Sequence, residues 1–110
     1  MPKIAFTTLL KDDPELQRQY RAYHANAWPE VIASFRKIGV DDLNIWQNGR
    51  RLFMVADVQE KFDSEAGLGA YLALDPKCEE WEAIMDQYQE APTDAPAGEK
   101  WVPLDHVFSF

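Results

Sequence analysis

Cysteine occurs once in this 110-residue chain, at Cys78, which excludes an intrachain disulfide and any zinc site built on cysteine pairs. Histidine occurs twice, at His24 and His106, and neither stands in an H-x-H or H-E-x-x-H spacing, so no bound metal is expected. Basic residues are outnumbered, 11 against 19 acidic ones, and they are scattered along the chain. The resulting net charge of −8 argues against nucleic acid as a partner, because phosphate binding needs a basic patch, and it disfavours an anionic membrane surface. Glycine is sparse and forms no phosphate-cradling loop, so no nucleotide cofactor is expected. No apolar run approaches the ~20 residues needed to span a bilayer. The opening segment Met1–Leu10 meets Lys11-Asp12-Asp13 too soon to be a secretory signal. These absences together point to a cytoplasmic protein that uses no cofactor.

What the chain has is size and aromatics. Its length suits one domain spanning residues 1–110, with enough apolar content to form a core. Four tryptophans, four tyrosines and six phenylalanines are many for this length. Such side chains fill cores, line sugar pockets or seal subunit interfaces. With charge excluding nucleic acid and membrane, a small neutral ligand is the simplest expectation.

The pattern of residues predicts a β-α-β-β-α-β order. Ile4 to Leu10 reads as a buried strand without a breaker. Asp13 then caps a helix with Pro14 in its first turn, and the inward stripe of that helix carries Leu16, Tyr20, Tyr23, His24 and Ala27. Pro29 disfavours helical geometry at Trp28, so the helix ends or kinks there. A second helical segment follows with Val31, Ile32, Phe35 and Ile38 inward and Gly39 as its stop. Leu43 to Gln47 and Leu52 to Val58 read as strands joined through Asn48-Gly49, a strong hairpin signal. Asp63 to Leu74 has helical character broken by two glycines, and Asp75-Pro76 opens a helix running to about Gln89 with Cys78, Trp81, Ile84, Met85 and Tyr88 inward. Gln89 to Lys100 reads as a loop. Trp101 to Phe110 closes the chain as a strand with Val102, Leu104, His106, Phe108 and Phe110 on one face. The implied architecture is an α+β, ferredoxin-like antiparallel sheet with helices on one side. Its other face is left uncovered, and two such faces packing together would make a homodimer.

The candidate chemistry lies on the first helix. Residues four apart on a helix stack one above the other, so Tyr20 and His24 place a phenol against an imidazole on the inward face. An imidazole titrates near ~6.5 and exchanges protons at neutral pH. The same spacing also suits a histidine that merely satisfies a core hydrogen bond. Trp46 and Trp81 are candidate pocket walls, since an indole lies against the apolar face of a sugar and keeps its N–H for a hydroxyl; plain core packing is the other reading. Glu30 suits a helix start, Cys78 a small core position, and His106 a structural or interface role.

Tyr20-x3-His24-x3-Trp28-Pro29-Glu30 resembles the signature of the L-rhamnose mutarotase family of small dimeric ferredoxin-like proteins. The likeness continues through Ala5-Phe6, Ile38-Gly39, Asn44-Ile45-Trp46, Cys78-Glu79-Glu80-Trp81 and Val107-Phe108, nearly the whole chain. It implies interconversion of sugar anomers, with His24 as proton donor and Tyr20 in contact with the sugar. The family's tryptophan pair on the last helix is matched only at Trp81, followed here by Glu82, and Leu43 replaces a tyrosine usual on the second strand. Ala91-Pro92-Thr93-Asp94-Ala95-Pro96 replaces the loop typical of rhamnose members, and the tail from Glu99 to Phe108 looks closer to relatives acting on L-fucose. The expected function is therefore a mutarotase for a 6-deoxy-L-hexose, with Tyr20, Trp46 and Trp81 binding sugar and His24 and Tyr20 moving protons. Two other functions fit the outline: a cofactor-independent oxygenase of the dimeric α/β-barrel type using Asn44, Trp46 and His24, and a non-enzymatic small-ligand binding module.

Overall fold

In the computed structural model, which describes residues 2–110, alternation decides the sheet. Strand β3 (Arg51–Val58) turns Leu52, Met54, Ala56 and Val58 to the buried side and its other residues outward. It pairs antiparallel with β1 (Lys3–Leu10) on one side and β2 (Val40–Asn48) on the other. Helices α1 (Pro14–Ala25), α2 (Pro29–Lys37) and α3 (Pro76–Asp86) form the second layer. The spatial order is β2-β3-β1 followed by an edge shared between β4 (Gln89–Glu90) and β5 (Val102–Leu104), both antiparallel to β1. This is the expected ferredoxin-like α+β arrangement. Among the described residues, no helix is long and apolar enough to cross a membrane.

The helix starts follow local chemistry. Asp13 accepts hydrogen bonds from the Glu15 and Leu16 amides at 2.9 and 3.2 Å, and Asp75 accepts one from Lys77 at 2.9 Å. Helix α1 ends at Ala25, and Trp28 is extended (φ −69°, ψ 133°), as the following Pro29 requires. The inward stripe of α3 is as expected, with Cys78, Trp81 and Met85 buried and Tyr88 buried just beyond the helix end. Cys78 is fully enclosed, consistent with a packing role. The main core cluster joins these residues to Leu10, Tyr20, Val31, Leu52 and Tyr71, and a smaller one gathers around Val40, Ala56 and Val58.

Several boundaries differ from the expectations. The hairpin loop is Gly49-Arg50 rather than Asn48-Gly49. Only Gly49 takes positive φ (60°), so one glycine at the first central position suffices and Asn48 stays paired with Arg51. Strand β2 begins early, at Val40, and accommodates Asp41 as an extra residue between the Val40–Val58 and Asp42–Asp57 pairs. The stretch from Asp63 to Leu74 is not one helix. Asp63 caps a turn over Glu65 and Ala66, Gly67 takes φ 69°, and only Leu68–Ala73 winds, as a 3₁₀ helix. Helix α3 stops at Asp86, and Gln89-Glu90, expected to open a loop, instead pairs with Leu10 and Leu9. The final strand is short. It ends at Leu104, opposite Ala5, and Asp105–Phe110 carries no regular structure. His106 accordingly lies on an exposed tail and not on a strand face.

Among the described glycines, Gly39, between α2 and β2, combines a positive φ with close neighbours. Its φ is +99°, and a Cβ there would stand 3.1 Å from Lys61 and 3.2–3.3 Å from the Phe62 backbone. Gly39→Ala is expected to lower unfolding stability by about 1–2 kcal/mol, the cost of forcing a side chain into left-handed geometry. Gly69→Ala, with open space around it and no positive φ, should leave the urea midpoint unchanged.

Candidate active site

Between the inner sheet face and the helices runs a groove of about 1020 Å³. Phe6, Ile45 and Met54 from the sheet give it an apolar floor. Tyr20 and His24 from α1, and Trp81 and Glu82 from α3, face the same space, together with Gln89 and Lys100. The sequence placed Tyr20 and His24 on one helix face, and their rings do stack, with centroids 4.2 Å apart and planes tilted by 36°. Trp81 meets His24 edge-on at 5.3 Å and meets Tyr23 and Trp28 at 6.0 and 5.3 Å. The imidazole is thus held between a phenol and an indole.

One hydrogen bond fixes which nitrogen of His24 is available. Nδ1 lies 2.9 Å from the backbone carbonyl of Tyr20. A carbonyl only accepts, so Nδ1 carries the proton and Nε2 keeps a free lone pair. Burial lowers the His24 pKa below its ordinary value, partly opposed by that carbonyl. Neutral imidazole is therefore the resting form at pH 7. Burial raises the Tyr20 pKa strongly, against a smaller lowering by the Gln89 amide, so the phenol stays protonated as a hydrogen-bond donor.

Trp46 does not join Trp81 in this groove. Strand alternation turns Ile45 inward and Trp46 toward the open face, where it pairs across from Phe53 and remains 56% exposed. It borders a separate, smaller depression of about 600 Å³ that reaches Tyr20 and His24 from the hairpin side. Asn44, on the same outward register, is also exposed.

Three polar residues of the groove were not singled out in the sequence. The Tyr71 hydroxyl donates to Glu82 Oε2 at 2.5 Å, and Lys100 Nζ lies 3.3 Å from Glu82 Oε1 and also pairs with Asp86. Burial and Glu82 both push the Tyr71 pKa up, so it too remains a donor. Thr8, fully buried on β1, holds Lys100 in place by donating to its carbonyl at 2.8 Å. The third, Gln89, is buried beside Tyr20. Tyr71, Glu82 and Lys100 are separated by 11 and 18 residues, and no helical or strand period links them; only Glu82 stood out, as a departure from the mutarotase pattern. A charged and hydroxylated wall of this kind suits a polyhydroxylated ligand better than the apolar substrates of an oxygenase.

The fold and cleft define a ferredoxin-like α+β protein with a tyrosine–histidine pair facing a groove of apolar floor and polar wall. The family model described as L-rhamnose mutarotase matches residues 3–110. An L-fucose mutarotase of Xanthomonas campestris is 36% identical over 99% of this chain and 88% of its own length. An L-rhamnose mutarotase of Burkholderia ambifaria is 27% identical over 97% of this chain and 99% of its own. The crystal structure of an L-rhamnose mutarotase from Formosa agariphila shares the fold, with a TM-score of 0.72 at 22% identity over 100% of this chain and 99% of that one. The chain belongs to the L-rhamnose mutarotase family, and its class of activity is that of a sugar mutarotase, an isomerase.

The neutral burial of His24 has a consequence for stability. Its pKa is lower folded than unfolded, so on acidification the unfolded chain binds the proton first. Stability should fall as pH drops below about 6.5, until the folded pKa is passed. Urea midpoints measured from pH 7.5 to 5 should show this loss, and His24→Gln should remove part of the slope.

Proposed function

We propose that the protein interconverts the α and β anomers of a 6-deoxy-L-hexose, L-fucose or L-rhamnose, by opening and reclosing the pyranose ring, with residues 1–110 acting as one mutarotase domain. The reading of the site rests chiefly on His24: its Nδ1–H is committed to the Tyr20 carbonyl, which reserves Nε2 for a ligand in the groove. Ring opening breaks the C1–O5 bond while O1 loses a proton and O5 gains one. Both oxygens are bonded to C1, so one nitrogen can serve both in turn. Neutral His24 takes the O1 proton through Nε2 and delivers it to O5, and the open aldehyde turns about C1–C2. Closure onto the other face reverses the transfers. His24 is thus the proton donor to the ring oxygen, after first acting as acceptor. The Tyr20 hydroxyl, kept protonated by burial, supports the developing charge on the sugar oxygen. The indole of Trp81 supplies a flat wall for the apolar face of the ring. Trp46, on its own side of β2, is assigned to the smaller depression and the open face. No redox or nucleotide chemistry enters the cycle, and the reading places the enzyme in the cytoplasm.

The open sheet face supports a homodimer. Trp46, Phe53 and Leu104 are 56%, 37% and 44% exposed, and the tail adds Val107, Phe108 and Phe110, still more exposed. An apolar surface of this composition on a sheet without a second layer suits burial against a second copy. Sedimentation should give about twice the 12.7 kDa chain mass, and Phe53→Glu should give monomers.

Anomer-exchange NMR on L-fucose and L-rhamnose tests the reaction. The native protein should accelerate exchange, and His24→Ala should lose about 10²–10⁴-fold, the usual worth of a positioned proton-transfer group. The rate should hold steady above pH 7 and fall in acid as His24 becomes protonated. A rate that falls steadily above pH 7 would instead make imidazolium the starting form. Undiminished exchange by His24→Ala would remove His24 from the chemistry.

A further inference from the structure

Gln89 occupies the inner face of β4, where it pairs in register with Leu10 of β1. It follows the buried Tyr88, and its side chain reaches the Tyr20 hydroxyl. It is only 7% exposed. Among the described residues, nothing donates a hydrogen bond to its Oε1, although that atom is shut away from solvent. A buried carbonyl oxygen without a donor loses its hydration and gains nothing in return. Leucine or methionine would fill this place without that loss. The side chain also lines the groove that contains Tyr20, His24 and Trp81.

We propose that Gln89 is a specificity-determining residue whose Oε1 accepts a hydrogen bond from one hydroxyl group of the bound sugar. The proposal rests on the sugar-mutarotase reading for its choice of ligand and on the orphaned acceptor for its choice of residue. A sugar hydroxyl in the groove is a donor of the kind this acceptor lacks. Gln89 adjoins Tyr20, whose hydroxyl remains protonated, so the two residues offer an acceptor and a donor side by side. A hydroxyl both accepts and donates, and this pair matches it. Gln89 stands apart from the proton transfers. It tells sugars apart by whether they carry a hydroxyl at that place, because an analogue lacking it leaves the acceptor unpaired.

The test compares sugar affinity by calorimetry or NMR titration, using the tighter-bound of L-fucose and L-rhamnose and each of its monodeoxy analogues. The native protein should bind one analogue about 10-fold more weakly than the parent sugar. Gln89→Met should weaken the parent about 10-fold and leave that analogue unchanged, abolishing the discrimination. The urea midpoint of Gln89→Met without sugar should equal or exceed that of the native protein, because removing an unpaired acceptor relieves the fold. Should that variant fail to fold, Gln89→Asn, which keeps the amide but withdraws it, must show the same selective loss. Equal weakening toward every sugar, no weakening, or no sugar binding by the native protein would overturn the proposal. Binding and exchange separate the two claims. Sugar binding without catalysed exchange would sink the mutarotase reading and leave this test standing, whereas normal exchange with unaltered discrimination would sink only the role of Gln89.

Discussion

The indole of Trp81 is the contact on which the helical layer and the site both depend. It sits on α3 and meets, edge to face, rings from three earlier positions: Tyr23 and His24 at the end of α1 and Trp28 at the break before α2. Aromatic pairs in these geometries contribute about 0.5–1.5 kcal/mol each beyond the area they bury. Their greater effect is geometric. The α1–α2 break would otherwise leave two short helices free to pivot about Trp28-Pro29, and Trp81 holds both sides of the break to the last helix. His24 is oriented by the same packing, since its ring has Tyr20 on one side and Trp81 on the other.

This packing connects the chemistry to ordinary folding forces. The imidazole is neutral because aromatic neighbours desolvate it, and its tautomer is set by a carbonyl of its own helix. Neither effect needs a charged partner. The charges of the site lie on another wall, where Glu82 holds Tyr71 and Lys100 together. The proton-transfer pair and the charged wall are therefore different residues of one groove, and Glu82 lies near enough to Tyr20 to help raise its pKa.

Features governed by local rules were legible in the chain. Asp13, Asp75 and the prolines after them determine where helices start, and the alternation from Leu52 to Val58 determines the face that strand buries. The i, i+4 spacing put Tyr20 beside His24, and the rings are stacked. Where long-range pairing decides the outcome, the sequence was ambiguous. The tail alternates like a strand through Phe110, but a strand needs a paired neighbour, and the pairing with β1 stops at Leu104, opposite Ala5. Trp46 was given the right element, but Ile45 takes the inward place, so Trp46 meets Tyr20 and His24 only at the smaller depression and not beside Trp81. Tyr71, Lys100 and Gln89 reach the groove through a 3₁₀ turn and the two halves of one sheet edge. No periodicity in the sequence announces that meeting.

The divided edge of β1 has a consequence for how such a protein can change. The chain leaves β1 after Glu90, paired with Leu9, and rejoins it at Val102, paired with Thr7. The intervening residues form a loop whose two ends are anchored almost side by side on one strand. Lengthening such a loop costs little, since closure entropy grows only with the logarithm of its length. Gly98, Glu99, Lys100 and Trp101, at its returning end, line the rim of the groove. Insertions and deletions here can reshape the mouth of the groove while the strand register and the Tyr20–His24 pair stay as they are. The shape of the groove's mouth is thereby separable from the Tyr20–His24 pair, and each can drift or be engineered without the other.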